Sequence, residues 1–216
     1  MGKDKLRRFA EISTFENVLQ LEEGHVLKGK WLEQQFKNNH PLVLELACGK
    51  GEYAVEMARH FPEKNFIGID YKGNRIWRGA KTALEEGVKN VAFLRIQIEQ
   101  ILDYFEPEEV SEIWITFPDP QPQVGRERKR LTSPRFLENY KKIVQPGGFI
   151  HLKTDNDDLY NYTLEKIKEF GFQLHIATND LYHSAYADEI LSIKTYYEKK
   201  YLQNNKTINY LKFSFD

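Results

Sequence analysis

The sequence is poor in cysteine, in uninterrupted apolar runs and in net charge. Its single cysteine, Cys48, excludes an internal disulfide and a cysteine-rich metal cage, and such usage is typical of a reducing compartment. No apolar run approaches the roughly 20 residues that cross a membrane, so we expect no membrane association. The 31 Lys and Arg residues nearly balance the 32 Asp and Glu residues, leaving a net charge of −1. This balance excludes a global electrostatic attraction to nucleic acid.

Two further signals are missing. The basic start is not followed by the apolar stretch of a secretory signal, so we expect the protein to remain in the cytoplasm. The six histidines show no metal-ligand spacing, and we therefore predict no metal site.

The remaining composition, 41% hydrophobic and 29% charged, is typical of a soluble globular protein. A chain of 216 residues falls within the range of one α/β domain with small additions. We predict an N-terminal basic and helical extension over residues 1–40 and one main domain over residues 41–216.

Strands and helices alternate along the predicted main domain. Short aliphatic runs predict buried strands over residues 42–46, 65–69, 91–96, 110–116, 149–153, 172–177 and 207–213. Amphipathic runs predict helices over residues 28–36, 51–60, 76–86, 98–105, 133–144, 159–170 and 195–203. Residues 146–148 predict a turn, and residues 121–130 predict a long loop. This alternation indicates a doubly wound α/β fold, in which helices cover both faces of a mostly parallel sheet.

Polar residues cluster at the carboxyl ends of the predicted strands, where open α/β sheets bind their ligands. They are Glu45, Asp70, Gln97, Asp119 and Asp155. Each acid alone is as typical of a turn or a helix cap as of a site. The ordered series along one sheet edge favours a bound polar ligand.

A glycine-rich turn follows the first predicted strand. Gly49 and Gly51 allow the backbone to turn sharply and to approach a ligand closely. Asp70 lies 19 residues beyond Gly51. At this spacing an acid accepts hydrogen bonds from the ribose hydroxyls of a nucleoside.

Two nucleoside cofactors are compatible with the glycine turn. Residues 49–54 match the dinucleotide pattern G-x-G-x-x-A, so a nicotinamide dinucleotide stays open as an alternative. Its pyrophosphate would, however, meet Glu45 and Glu52 beside the turn, and these acids would repel it. S-adenosyl-L-methionine carries an ammonium and a sulfonium centre, which the same acids attract. We therefore favour S-adenosyl-L-methionine as the cofactor.

Cys48 is a candidate for a covalent nucleophile, because some methyl transfers use a cysteine in this way. It lies inside the glycine turn and has no neighbouring histidine to lower its pKa. The position favours a small packed residue.

Basic residues are concentrated in two segments. The first contains Lys3, Lys5, Arg7 and Arg8, and the second contains Arg126, Arg128, Lys129 and Arg130. Such runs are as typical of solvated surface as of a nucleic-acid contact. Both interpretations stay open at this point.

Six motifs occur in one order along the chain. They are Glu45-Leu-Ala-Cys-Gly-Lys-Gly51, Asn65-Phe-Ile-Gly-Ile-Asp70, Phe117-Pro-Asp-Pro120, Lys129-Arg-Leu-Thr132, Lys153-Thr-Asp-Asn156 and Thr195-Tyr-Tyr-Glu198. Together they resemble the bacterial tRNA (guanine-N7)-methyltransferases over residues 42–213. The resemblance implies a Rossmann-like, class I methyltransferase domain over residues 41–216, with S-adenosyl-L-methionine as donor. It also implies that the substrate is a guanine in the variable loop of tRNA.

The resemblance further implies roles for individual residues. At the cofactor it implies Glu45, Gly49, Gly51, Asp70, Gln97 and Asp119, with Asp119 also the catalytic residue. At the substrate it implies Gln123, Asp155, Thr195 and Glu198. On the RNA backbone it implies Arg126, Arg128, Lys129 and Arg130. The partner is then tRNA. Independently of the resemblance, we expect the protein to be a monomer or a homodimer.

The sequence departs from this family pattern at five positions. Ala47 stands where the family usually has glycine, Asp70 where it has glutamate, and Gln97 where it has aspartate. Gln121 and Gln123 replace a tryptophan and a lysine. Two other functions stay open. The strand-end residues alone fit a methyltransferase of a small molecule or protein, and the two glutamines fit an RNA-binding module without catalysis.

Overall fold

The structure is a computed structural model that describes residues 2–204 and 206–216. The side chains of residues 2, 3, 22, 23, 196 and 197 are not described. Lys3, one of the predicted basic residues, therefore lies outside the described side chains.

The described chain forms a series of helices and strands. The helices are α1 (Gly2–Ile12), α2 (Leu21–Val26), α3 (Glu52–His60), α4 (Gly73–Glu86), α5 (Pro134–Ile143), α6 (Asp157–Glu169) and α7 (Tyr196–Gln203). The strands are β1 (Val18–Gln20), β2 (Leu42–Leu46), β3 (Asn65–Ile69), β4 (Val91–Arg95), β5 (Val110–Thr116), β6 (Val144–Thr154), β7 (Gln173–Thr178) and β8 (Asn209–Ser214). A π-helical turn spans Trp31–Phe36, and 3₁₀ turns span Ile98–Asp103, Val124–Lys129 and Leu181–His183.

The strands of the described chain form one sheet in the order β1-β4-β3-β2-β5-β6-β8-β7. β8 runs antiparallel to β6 and β7, and the other neighbouring strands are parallel. The chain passes outward from β2 through β3 to β4 and then returns to β5 on the other side of β2. Because the strand order reverses there, a crevice opens at the carboxyl ends of β2 and β5. The predicted doubly wound, mostly parallel fold is confirmed.

Both faces of the sheet are apolar and covered. Successive strand residues point to opposite faces, so Leu44 packs with α5 and α6, whereas Val43 packs with α3 and α4. Trp31 and the 3₁₀ turn Ile98–Asp103 join the first layer, and α1 and the segment around Leu181 join the second. Two buried layers on one sheet explain the near-continuous aliphatic strands of the sequence.

The N-terminal region differs from the prediction of one helix over residues 28–36. Helix α2 ends at Val26, and only the short π-helical turn Trp31–Phe36 covers the predicted range. Strand β1 was not predicted, and it pairs with β4 at the edge of the sheet. Its three residues are too few to show an alternating pattern in the sequence. Its pairing also depends on β4, which lies far away along the chain.

The turn predicted at residues 146–148 lies within β6, which begins at Val144 rather than at Phe149. Val144 pairs with Val110, after which the register shifts so that Phe149 pairs with Glu112. Gly147 has a φ of 74°, so the glycines form a bulge that interrupts the pairing without ending the strand. The predicted strands over residues 42–46, 65–69 and 110–116 are confirmed.

The remaining predicted elements need small adjustments. The predicted loop over residues 121–130 contains the 3₁₀ turn Val124–Lys129, and the predicted helix over residues 98–105 is a 3₁₀ turn. Among the described helices, none has both the length and the apolar character needed to span a membrane.

Candidate functional site

A cleft of about 430 Å³ opens at the carboxyl edge of the sheet, where the strand order reverses. Pockets that bind small molecules and cofactors commonly enclose about 300–1,000 Å³. The cleft brings together three of the predicted strand-end residues, Asp70, Gln97 and Asp119, with Lys129 of the basic segment. These residues come from the ends of β3, β4 and β5, so the sheet supplies one group from each strand.

Asp70 connects the glycine turn to the beginning of α4. Its Oδ2 accepts a hydrogen bond from the Gly49 N–H at 3.0 Å, and its Oδ1 accepts one from the Lys72 N–H at 2.8 Å. The side chain is buried but lines the cleft. Each carboxylate oxygen has a second lone pair, which can still accept a hydrogen bond from a ligand hydroxyl.

Glu45 lies beneath the glycine turn rather than among the residues that line the cleft. Its Oε1 accepts a hydrogen bond from the Thr116 hydroxyl at 2.6 Å, and its Oε2 accepts one from the Ala54 N–H at 2.9 Å. Burial raises the pKa of Glu45 to about 8, although both hydrogen bonds act to lower it. The carboxyl group therefore holds the turn between β2 and α3, and burial favours its protonated form.

The glycine turn depends on close contacts that only glycine permits. A Cβ atom on Gly51 would lie 2.3 Å from Cε1 of Phe93, and Gly51 has a φ of 68°. A Cβ atom on Gly79 of α4 would lie 2.5 Å from the carbonyl oxygen of Lys50. The turn is thus packed between the Phe93 ring and the backbone of α4.

Backbone strain is concentrated in the cleft. Ala47, Phe117 and Gln121 all line the cleft and have φ angles of 55°, 48° and 46°. Non-glycine residues seldom adopt this left-handed conformation, and such residues cluster at functional sites. Ala47 stands where the resemblance implies a glycine, and glycine adopts this left-handed conformation without the strain that a Cβ atom brings.

The side of the cleft near β4 is suited to a nucleoside base. Ile96 and Ile98 supply apolar surface, and the exposed amide of Gln97 lies between them in the sequence. An amide can both donate and accept hydrogen bonds at the edge of a base. Tyr71 and Arg75 also line the cleft, and neither was predicted from the sequence. The position of Tyr71 directly after Asp70 was the signal that could have identified it.

Asp119 is exposed on the β5 side of the cleft, in the loop that follows the strand. Its Oδ1 accepts a hydrogen bond from the backbone N–H of Gln121 at 3.1 Å. This bond orients the carboxylate at the cleft wall and leaves Oδ2 open to a ligand. Gln123 is also exposed, but it lies outside the cleft lining at the start of the next 3₁₀ turn.

The basic segment forms the 3₁₀ turn Val124–Lys129 beside the cleft. Arg126, Arg128 and Lys129 are exposed, and Lys129 reaches the cleft lining. Arg130 instead packs over the ring of Tyr162 at 4.4 Å and points toward the carbonyl oxygen of Gln121. Three of the four predicted cations are therefore accessible to a large anionic partner, while Arg130 supports the loop.

The predicted substrate residues Asp155, Thr195 and Glu198 lie outside the cleft lining. Asp155 accepts a hydrogen bond from Lys206 Nζ at 2.8 Å. Thr195 caps α7, and its hydroxyl accepts a hydrogen bond from the Glu198 N–H at 3.2 Å. Glu198 is fully buried and forms an ion pair with Lys153 at 3.0 Å. Lys153 was not predicted as a site residue, although it begins the Lys153–Asn156 motif.

Cys48 is buried within the glycine turn, where its N–H donates to the carbonyl oxygen of Ile69 at 3.0 Å. Burial raises the pKa of the Cys48 thiol well above its usual range, so the thiolate is disfavoured. Within the described part of the chain, no three His, Cys, Asp or Glu side chains gather as a metal site requires.

Comparison with known proteins identifies relatives over the whole chain. A family model described as "Putative methyltransferase" matches residues 39–211. A tRNA (guanine-N(7)-)-methyltransferase of Christiangramia forsetii is 53% identical, and the alignment covers 98% of this chain and 98% of the relative. The protein of the same name from Bacteroides thetaiotaomicron is 48% identical, with 99% of this chain and 86% of the relative covered.

Solved structures of methyltransferases share the fold. The crystal structure of the 16S rRNA methyltransferase KamB superposes with a TM-score of 0.64 at 17% identity, covering 85% of this chain and 91% of that chain. A SAM-dependent methyltransferase from Aquifex aeolicus gives a TM-score of 0.56 at 12% identity, covering 96% and 98%. At these identities the likeness concerns the fold alone.

Proposed function

We propose that this chain, which belongs to the family of tRNA (guanine-N7)-methyltransferases, transfers a methyl group from S-adenosyl-L-methionine to a tRNA guanine. The acceptor atom is N7 of a guanine in the variable loop. One observation carries this proposal: the cleft joins Asp70, Gln97 and Asp119 to a basic turn at its rim. A nucleoside cofactor fits the first three residues, and an RNA backbone fits the turn.

The groups around the cleft fit the cofactor. Asp70 can accept hydrogen bonds from the ribose hydroxyls, and Gln97 with Ile98 can hold the adenine edge and face. Gly49 and Gly51 bring the backbone close to the methionine part, with Glu45 beneath them. When bound, S-adenosyl-L-methionine supplies an electrophilic methyl group on a sulfonium centre.

The chemistry requires positioning rather than proton removal. Guanine N7 has a free in-plane lone pair and carries no proton, so no residue has to act as a general base. Positive charge develops on the purine ring during the transfer. The exposed Asp119 carboxylate is placed to balance that charge, and a carboxylate can also accept hydrogen bonds from guanine N1 and N2. Adenine cannot donate this pair, so such a contact selects guanine.

The substrate contacts extend from the cleft to the exposed surface. Arg126, Arg128 and Lys129 bind the RNA backbone, with Arg130 behind them. Gln123, Asp155 and Thr195 contact the guanine and its neighbours, and the buried Glu198 organises them through the cap of α7. In this assignment residues 41–216 form the methyltransferase domain, and residues 1–40 form an extension that adds β1 to the sheet and Trp31 to the core and carries further basic side chains.

The proposal also includes the setting of the reaction. The protein acts on tRNA in the cytoplasm, as a monomer or a homodimer. The buried, unpaired Cys48 is consistent with a reducing compartment.

The test is to incubate the purified protein with S-adenosyl-L-methionine and unmodified tRNA, and to map 7-methylguanosine by mass spectrometry. We expect the product at one variable-loop guanine and no product on a tRNA with adenine there. Asp119→Asn should lower the single-turnover rate by about 10- to 100-fold. Cofactor binding without methyl transfer to tRNA would favour a small-molecule or protein substrate. The absence of cofactor binding would indicate an RNA-binding module.

A further inference from the structure

A fully buried lysine lies beneath the motif that the proposed function assigns to the substrate. Lys153 is the next-to-last residue of β6, and neither it nor Glu198 exposes any side-chain surface. Burying a cation is costly unless the charge is paired and its hydrogen-bond donors are satisfied. The partners of Lys153 therefore indicate what the buried charge is for.

The ammonium group of Lys153 has three directed partners. Nζ donates to Oε1 of Glu198 at 3.0 Å, to the carbonyl oxygen of Leu191 at 3.0 Å and to that of Ile193 at 3.2 Å. An ammonium group has three N–H donors, so these contacts satisfy it. Two of the partners belong to the segment that leads into α7.

Glu198 connects this charge pair to the first turn of α7. Its Oε1 also accepts a hydrogen bond from the Tyr182 hydroxyl, and its Oε2 accepts one from the Thr195 N–H at 3.3 Å. The Thr195 hydroxyl in turn accepts from the Glu198 N–H, which completes a capping box. One carboxylate thus belongs both to the ion pair and to the cap.

The same cluster contacts the wall of the cleft. The carbonyl oxygen of Lys153 accepts a hydrogen bond from the N–H of Phe117 at 2.8 Å, and Phe117 lines the cleft. The Phe117 ring lies 5.9 Å from the ring of Tyr201 in α7. From the other side, the Tyr53 hydroxyl donates to the carbonyl oxygen of Ile190 at 2.9 Å. The strand end, α3 and the segment before α7 therefore converge on Lys153.

We propose that Lys153 is a positioning residue for the tRNA substrate, acting through Glu198 to hold the Thr195–Glu198 turn against the cleft wall. The inference rests on the proposed function, which assigns this turn to the substrate. Apolar side chains of similar volume could fill the same space at less electrostatic cost. They could not fix the direction of the carboxylate, and a displacement of about 1 Å can lower a rate by about 100-fold.

The experiment compares Lys153→Met with the wild type in tRNA methylation and in cofactor binding. We expect kcat/KM for tRNA to fall by about 100-fold, while calorimetric affinity for S-adenosyl-L-methionine stays unchanged. Lys153 does not contact Asp70 or Gln97, so the cofactor side should not respond. The control is the same substitution at another ion pair, Lys64→Met. It breaks the Lys64–Glu112 ion pair of 2.6 Å near the amino ends of the strands, on the side of the sheet away from the cleft. The proposal would be overturned if Lys153→Met had normal tRNA kinetics. It would also be overturned if kcat/KM for tRNA and the affinity for S-adenosyl-L-methionine fell by the same factor.

A double-mutant cycle tests whether Lys153 acts through Glu198. Lys153→Met should cost much less in the Glu198→Gln background than in the wild type, because residues of one network are not additive. Purely additive losses in kcat/KM contradict the proposed route. Because the two residues form an ion pair, their effects on folding stability would be non-additive as well, so the unchanged affinity for S-adenosyl-L-methionine separates positioning from a general loss of folded protein.

Tyr182→Phe provides a second test of the proposal if Lys153→Met does not fold. It removes only the hydroxyl that donates to Glu198 and leaves a partly exposed ring in place. The expected result is a several-fold lower kcat/KM for tRNA at unchanged cofactor affinity, and unaltered tRNA kinetics would refute the proposal. A wild type that does not methylate tRNA refutes the proposed function instead, before any variant is compared.

Discussion

At the scale of single residues, Glu45 shows how burial changes the role of an acid. The sequence indicates a carboxylate that attracts the ammonium group of the cofactor. In the folded chain its oxygens accept hydrogen bonds from Thr116 and Ala54, and burial raises its pKa to about 8. The free energy of ionising Glu45 is therefore part of the free energy of binding a cation.

Cofactor affinity should consequently rise with pH. Between the unfolded pKa near 4.5 and the folded pKa of about 8, folded protein keeps a proton that unfolded protein releases. Glu45 therefore contributes stability at low pH, and this contribution is lost as the pH rises through that window. We expect Glu45 to lose its proton when the cofactor ammonium group binds above the glycine turn, so affinity should increase by up to about tenfold per pH unit.

Calorimetric titration between about pH 5.5 and pH 7 measures how cofactor affinity depends on pH. In this range the α-amino group of the cofactor stays protonated, because such groups titrate at higher pH. Glu45→Gln should remove the slope, because the amide has no proton to lose. A wild-type affinity that does not change with pH would show that Glu45 does not ionise on binding.

At the scale of elements, the glycine turn owes its position to α4. Gly79 has no side chain, and a Cβ atom there would lie 2.5 Å from the carbonyl oxygen of Lys50 and 3.1 Å from Cα of Gly51. The same atom would meet the Phe93 ring at 2.8 Å. Backbone cannot yield as a flexible side chain can, so either α4 or the turn must move when this space is filled.

Gly79→Ala should therefore weaken cofactor binding by about tenfold or more and destabilise the fold by about 1–3 kcal/mol. Calorimetry measures the first effect and denaturant unfolding measures the second. Gly125→Ala is the matched control, because a Cβ atom there meets nothing within 4 Å. If Gly79→Ala binds the cofactor as the wild type does, then α4 does not set the geometry of the turn.

At the scale of the whole molecule, charge is balanced in total but unevenly distributed near the cleft. The net charge is −1, so long-range attraction to tRNA cannot come from the protein as a whole. The exposed cations Arg126, Arg128 and Lys129 stand on one turn beside the cleft. Binding should depend on these local cations and on the counterions that they release from RNA.

Arg126→Ala combined with Arg128→Ala should weaken tRNA binding for all sequences. The slope of log affinity against log salt should fall by about one unit for each phosphate that the protein no longer neutralises. Lys141→Ala combined with Lys142→Ala removes the same charge from the exposed end of α5 and should leave the slope unchanged. Equal slopes in all three proteins would mean that the basic turn is ordinary solvated surface.

The sequence by itself determined the doubly wound sheet and the line of polar residues at its carboxyl edge. Both follow from local patterns: aliphatic runs predict the central strands, and glycines mark their ends. Because parallel strands end at one edge, Asp70, Gln97 and Asp119 could be expected to meet, and all three line the cleft.

Only the tertiary structure decided which of the other predicted site residues are exposed and which are buried or paired. Three of the contacts join residues that are far apart in the chain. They are the pairing of β1 with β4, the hydrogen bond between Asp155 and Lys206, and the ion pair between Lys153 and Glu198. No local pattern specifies such pairings, since each depends on how distant elements pack. Burial at Glu45 has the same origin, because the desolvation that raises its pKa is produced by the strands and helices around it and not by its neighbours in sequence.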